Sequence, residues 1–227
     1  MTTMKKNEVL AKCDQMEALG DYESAVVLLG KAIAFSPEEK DFWVNRGRLR
    51  CDCLATPIDA LADFQQAIAC DPDSPVPHQY LSLCYQILGD ADAAFAHAER
   101  ALELDGCDAF SHYVVAKCRL SAERFHAAVK HLESAVNIDN QSYVFWNALG
   151  DAYLGALKTT KAIKAYRHAY SLKPNVTLQI RLARIELDLG NVLSAMAHLD
   201  SAANFELNES EQALVDGYRE LAKRCLL

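Results

Sequence analysis

Trp146-Asn-Ala-Leu149-Gly150-Asp-Ala-Tyr153, continued by Ala162-x3-Tyr166-x2-Ala169-x4-Pro174, is the stretch that decides the fold. Each half carries apolar residues at three- and four-residue spacing, which is the stripe of an amphipathic helix. Gly150 and Ala162 are small where a larger side chain would hold two helices apart. Pro174 stops the second helix, because proline lacks a backbone donor and clashes with the turn before it. The stretch therefore predicts a helical hairpin.

The same arrangement returns about every 34 residues in both directions. Gly20-Asp-Tyr22-Glu-Ser-Ala25 opens the first copy, with Leu29, Ala32 and Pro37 following. Later copies align on Ala60/Phe64/Ala67/Pro72, Ala94/Ala98/Ala101, Ala128/Leu132/Ala135 and Ala195/Leu199/Ala202. The small position in the first half of each unit reads Cys13, Gly47, Ser82, Ala116, Gly150 and Ala183. The helical stripe is visible in other copies too, as in Leu81, Cys84, Tyr85 and Leu88. One hairpin cannot bury both of its faces, so neighbours must stack.

These residues resemble the tetratricopeptide repeat, whose pattern is W-x2-L-G-x2-Y…A-x3-F…P. The resemblance implies an all-α, right-handed α-solenoid of stacked antiparallel hairpins. The units are expected at 6–39, 40–74, 75–108, 109–142, 143–175 and 176–209, with a capping helix over 210–227, all within one domain spanning 1–227. In the cap, Leu214, Tyr218, Leu221 and Cys225 are expected on one face, with Glu211, Arg219, Lys223 and Arg224 elsewhere. The second copy departs from the pattern: Arg46 replaces the usual leucine, and one extra residue near Leu54-Ala-Thr-Pro57 predicts a distorted turn. His78 and His112 take the tryptophan position in the third and fourth copies, and could lie near one another.

Composition narrows the function. The 227 residues are 51% hydrophobic, with nine Gly and six Pro, few for a turn-rich β protein. No uncharged apolar run approaches the ~20 residues that cross a bilayer. The formal charge of -8 has the wrong sign for a protein whose task is to neutralise phosphates, so a nucleic-acid partner is not expected. The opening Met1-Thr-Thr-Met-Lys-Lys-Asn-Glu-Val-Leu10 has no apolar stretch after its lysines and no small-residue cleavage site, which points to a cytoplasmic chain.

Chemistry-bearing motifs are missing. Of eight cysteines only Cys51 and Cys53 are close in sequence, which is not a zinc pattern, and they are read as small apolar residues in a reducing compartment. None of the seven histidines pairs with another at i, i+4. Phosphate-binding loops, dinucleotide fingerprints and nucleophile elbows are also missing, so no catalytic residue, cofactor or metal is expected.

What remains is surface. Lys/Arg against Asp/Glu count nine to 19 over 1–108, 11 to four over 109–184, and three to eight over 185–227. The charge is segregated, with Lys158, Lys161, Lys164, Arg167 and Lys173 mostly on the second helix of the fifth unit, the convex side by resemblance. A solvated outer face is one reading. An acidic partner, or the acidic half of a second copy in a homo-oligomer, is the other.

The resemblance also implies that the second, fifth, ninth and twelfth positions of each first helix line a concave groove. Its expected lining is Arg48, Val76, Gln79, Leu83, Phe110, Tyr113, Lys117, Val144, Asn147, Asp151 and Arg184. Apolar anchors flanked by polar and charged residues suit a peptide or helix of another protein. Tyr113, Lys117, Asn147 and Asp151 lead the set, because their polar ends gain little from burial without partners. No three consecutive units present the lysine, asparagine and arginine set with which some members of the family grip acidic chaperone tails. The alternatives are a self-assembling scaffold and a chaperone for a secreted or membrane-complex protein.

Overall fold

The computed structural model describes residues 5–225, so the outermost residues of the expected domain and cap, 1–4 and 226–227, lie outside it. The described residues form thirteen α-helices and no strand. Contacts gather the chain into two compact units, Met1–Cys118 and Arg119–Leu227.

In the first unit α1 (Lys6–Ala18) pairs with α2 (Tyr22–Phe35), α3 (Lys40–Asp52) with α4 (Pro57–Cys70), and α5 (Pro75–Leu88) with α6 (Ala91–Leu104). Helix α7 (Ala109–Ser121) starts at its edge. In the second unit α8 (Phe125–Ile138) packs on α9 (Tyr143–Gly155), which pairs with α10 (Thr159–Leu172). Helix α11 (Val176–Asp188) pairs with α12 (Val192–Ala202), and α13 (Glu209–Cys225) packs on both. Within each unit the second helix of one hairpin lies against the first helix of the next, so every hairpin buries a flank on its neighbour.

Close packing inside a hairpin is a trade of volume between its two helices. A Cβ on Gly150 would stand 2.5 Å from the Tyr166 ring, and one on Gly47 2.7 Å from the Phe64 ring. Both rings are fully buried, so glycine in the first helix is what admits an aromatic residue in the second. Where the first helix carries Cys13 or Ala183, the residue in register on the second is leucine, Leu29 or Leu199, and all four are buried. In α5–α6, Ser82 stands in register with Ala98, and Tyr85 stacks on His97 at 5.5 Å. Each fully buried leucine or aromatic ring contributes about 1.5–3 kcal/mol.

The second hairpin explains its own irregularity. Asp63, 1% exposed, accepts from Nε and Nη2 of Arg46 and from Nη1 of Arg50, at 2.6–3.2 Å. Arg46 stands where a leucine was expected because α4 supplies a buried carboxylate that both neutralises it and uses its donors. The expected distortion is also present: the turn between α3 and α4 holds four residues, Cys53–Thr56, against two or three in the other hairpins. Ala55 takes the left-handed conformation there, at φ 53°.

The final helix corrects the sequence reading. Val215 and Ala222 are buried and Tyr218 half-buried, while Leu214, Leu221 and Cys225 are exposed. The buried stripe is thus rotated by about one residue from the expected one, because the small Ala222 and the β-branched Val215 let α13 settle closer than leucines would. Its start is firmly set: Asn208 Oδ1 accepts from the Glu211 amide at 2.9 Å, and Glu211 Oε2 accepts from the Asn208 amide at 3.1 Å, a reciprocal capping box.

Candidate functional site

The first helices of the hairpins carry every residue expected to line the groove, and the two units present them separately. In the first unit Arg48 leaves α3 to pair with Glu17 of α1. Val76 is exposed in the first turn of α5. Leu83, Phe110 and Tyr113 are half-buried against a cluster that includes Val114, Val115 and Cys118, and Lys117 is half-buried on α7.

Gln79 is different. It is buried, and its amide donates to Asp108 Oδ2 at 2.7 Å and to Ser111 Oγ at 2.8 Å. Asp108 also accepts from the Ser111 amide at 2.6 Å, so Gln79 ties α5 to the start of α7 rather than facing a ligand. A buried amide with its donors satisfied is structural.

An aromatic ladder runs along this unit: Phe64 stacks on Tyr80 at 5.4 Å, Tyr80 meets Phe110 at 6.0 Å, and Phe110 meets Tyr113 at 5.5 Å. Tyr80, Phe110 and Tyr113 are half-buried. Burial raises the Tyr80 hydroxyl above its usual range, the negative charge of Asp52 adds to that, and Arg48 opposes it. Tyr80 was not among the expected site residues, although an aromatic residue next to an expected lining position was a usable signal. Beneath the ladder Cys51 and Cys84 bring their sulfurs to 3.1 Å, a contact of α3 with α5 that spacing along the sequence did not indicate.

In the second unit Val144, Asn147 and Asp151 are half-buried on α9, and Arg184 is exposed on α11. Asp151 accepts from the Tyr166 hydroxyl at 2.6 Å and forms an ion pair with Arg181. Burial first, and the Asp151 charge second, push the Tyr166 hydroxyl up, so it stays protonated as a donor. The cation that meets Asp151 is Arg181, which was not among the expected site residues.

The histidines also rearrange. His78 hydrogen-bonds His97 across its own hairpin, Nδ1 to Nδ1 at 2.9 Å. Burial, and then the neighbouring His97, push His78 down to about 4. The pair is neutral at physiological pH. Among the described residues no group of three or more His, Cys, Asp or Glu is placed to hold a metal ion, and no helix is long and apolar enough to cross a membrane.

Trp146 Nε1 donates to the Asn140 carbonyl at 3.0 Å and Trp43 Nε1 to the Pro37 carbonyl at 2.7 Å, so the tryptophans of two copies make the same bond to the loop before them. Residues 143–176, which include the first of these, match the family model described as Tetratricopeptide repeat. The α9–α10 hairpin thus matches a tetratricopeptide repeat, and the other hairpins share its helix–turn–helix form. A relative of known name, Superkiller protein 3 of Schizosaccharomyces pombe (strain 972 / ATCC 24843), is 29% identical over 115 residues, 49% of this chain and 8% of that protein. Among solved structures, that of the APC/C hetero-tetramer Cut9-Hcn1 superposes with a TM-score of 0.84 at 16% identity, over 94% of this chain and 43% of that one. TTC0263, a thermophilic tetratricopeptide-repeat protein in Thermus thermophilus, superposes with a TM-score of 0.71 at 20% identity, over 81% of this chain and 100% of that one. The chain thus spans less than half the length of the first two. At these identities the structural matches show the all-helical repeat fold, and proteins with such repeats are generally interaction scaffolds.

Proposed function

We propose that this chain is a non-catalytic, cytoplasmic interaction module that holds a peptide or helix of a partner protein against the first helices of its hairpins. The observation that carries this reading is the half-buried ladder Tyr80, Phe110 and Tyr113, on the same unit as Val76 and the charged Glu17–Arg48 pair. Rigid aromatic faces supply affinity at low entropic cost, and the fixed charges give the bound segment its direction. The Cut9-Hcn1 hetero-tetramer, a protein assembly, supports a protein partner.

Peptide-display selection on the folded full chain, followed by titration of the selected peptides, tests the reading. Tyr113→Ala and Arg48→Ala should each weaken binding about tenfold, or about 1.4 kcal/mol. Lys164→Ala, on α10, should leave it unchanged. Peptides that bind both groove variants as tightly as the parent chain would place recognition elsewhere.

A further inference from the structure

Two helices of the second unit begin against the electrostatics of helix ends. Arg124 and Lys158 hold the N-cap positions of α8 and α10, and neither side chain caps its helix. A cation there meets the positive end of the helix dipole, which costs about 0.3–1 kcal/mol. The residues before them, Glu123 and Leu157, stand at φ 55° and 59°, where three other hairpins have Gly20, Gly89 and Gly190. Leu157 is also 89% exposed. On the next hairpin Leu189 and Leu193 are exposed at the corresponding turn.

Around Leu157 the described cations form no ion pair, although Glu123 and Asp188 are exposed at the neighbouring turns and Lys161 lies 5.4 Å over the Tyr153 ring. Among the described residues, no carboxylate pairs with Lys158, Lys161, Lys164, Lys130 or Arg124, and all five are exposed. The corresponding turns of the first unit are apolar and acidic instead. Leu19, Ile58 and Ile87 are exposed there, and Asp21, Glu23, Asp59, Asp90 and Asp92 sit at the starts of α2, α4 and α6.

We propose that these edges recognise each other between two copies of the chain: the Leu157–Lys158 edge of one copy docks on the acidic Leu19, Ile58 and Ile87 edge of the other. Charge complementarity selects this occupant. Residues 1–118 hold ten Lys/Arg and 19 Asp/Glu, a net of -9, whereas residues 119–184 hold ten and four, a net of +6. On docking, the leucines and isoleucines leave water and the carboxylates reach the uncapped starts of α8 and α10. The lysines steer the encounter and set the register. The surfaces differ, so the contact is heterologous, and it leaves the acidic edge of one copy and the basic edge of the other free for further neighbours.

Sedimentation velocity on the full chain tests this at about 20 mM and about 500 mM salt, where the screening length falls from roughly 20 Å to roughly 4 Å. The sedimentation coefficient should rise with concentration at low salt, with the midpoint moved up at least about tenfold at high salt. Lys158→Glu with Lys164→Glu should abolish association, as should Asp59→Lys with Asp92→Lys, each with unchanged helical circular dichroism. Mixing the two charge-reversed chains should restore it, which no folding defect can do. Tyr113→Ala should leave association intact, so the groove and the edge fail independently. A parent chain that is monomeric at low salt, reversed chains that associate as before, or a mixture that stays monomeric would each overturn the proposal. So would a monomeric chain that retains a polyglutamate peptide in a Lys158-dependent manner, since the edge would then serve a different acidic partner.

Discussion

The hairpins α5–α6 and α9–α10 share one architecture and solve its problems by opposite means. At the helix crossing, α9–α10 combines Gly150 with a fully buried Tyr166, whereas α5–α6 has Ser82 in register with Ala98 and adds the His78–His97 hydrogen bond. At the turn, Gly89 adopts φ 82° and Asp90 accepts from the Ala93 amide at 3.0 Å, a well-formed helix start. In α9–α10 Leu157 takes the left-handed position and Lys158 leaves the helix uncapped. One hairpin has a permissive core and an optimised turn. The other has a demanding core and a turn held at some cost, which suits a turn selected for what it presents to a partner.

Substitution at the helix crossing should separate the two most. Gly150→Ala places a Cβ against a ring that is fully buried and pinned by Asp151, so it should cost about 2–3 kcal/mol in urea unfolding. Ser82→Ala, whose hydroxyl meets only sulfur and an amide, should cost less than about 1 kcal/mol. Equal losses at the two positions would remove the volume trade as the organising rule.

Acid should act next, and chiefly on α5–α6. His78 sits at about 4 in the folded chain against 6.5 for the free side chain, so the unfolded state binds more protons between those values. The resulting stability is complete above about pH 6.5 and is lost as pH falls towards 4, a change of about 3 kcal/mol. His97 is pushed in the same direction by burial. Thermal unfolding of the parent chain and His78→Gln at pH 7 and pH 4.5 checks this. The variant should show the smaller drop.

The turns should give the smallest effects and with opposite signs. Leu157→Gly should stabilise the chain by about 1 kcal/mol, since glycine adopts the left-handed conformation without the Cβ clash. Gly89→Leu should cost about the same, read as a shift in urea midpoint. If Leu157→Gly also weakens self-association, the strained turn is a surface device and not a tolerated defect.

Much of this was legible in the sequence because a repeat states its own period. The spacing of Gly150, Tyr153, Ala162 and Tyr166 announced the hairpin, and Gly47 with Phe64 repeated it one extra residue apart, which the four-residue turn absorbs. The candidate site was less legible. Position within the repeat placed Tyr113, Asn147 and Arg48 on first helices, yet Gln79 on the same pattern is buried by partners on another hairpin, Asp108 and Ser111. His97, Arg181 and Tyr80 escaped notice because their partners lie on other helices, where a one-dimensional period carries no information about side-chain direction.

The sequence alone determined that these helices pair and where each turns, since helical spacing, small residues at crossings and proline at exits are local properties that each segment states for itself. Only the tertiary structure decided which polar groups are consumed and which stay available. Asp63 is consumed by two arginines and Asp151 by a tyrosine and an arginine, while Lys158 and Lys164 remain in solvent. A charge or amide becomes structural or functional according to the partner that packing brings within hydrogen-bond reach, and that partner here often lies one helix or one repeat away.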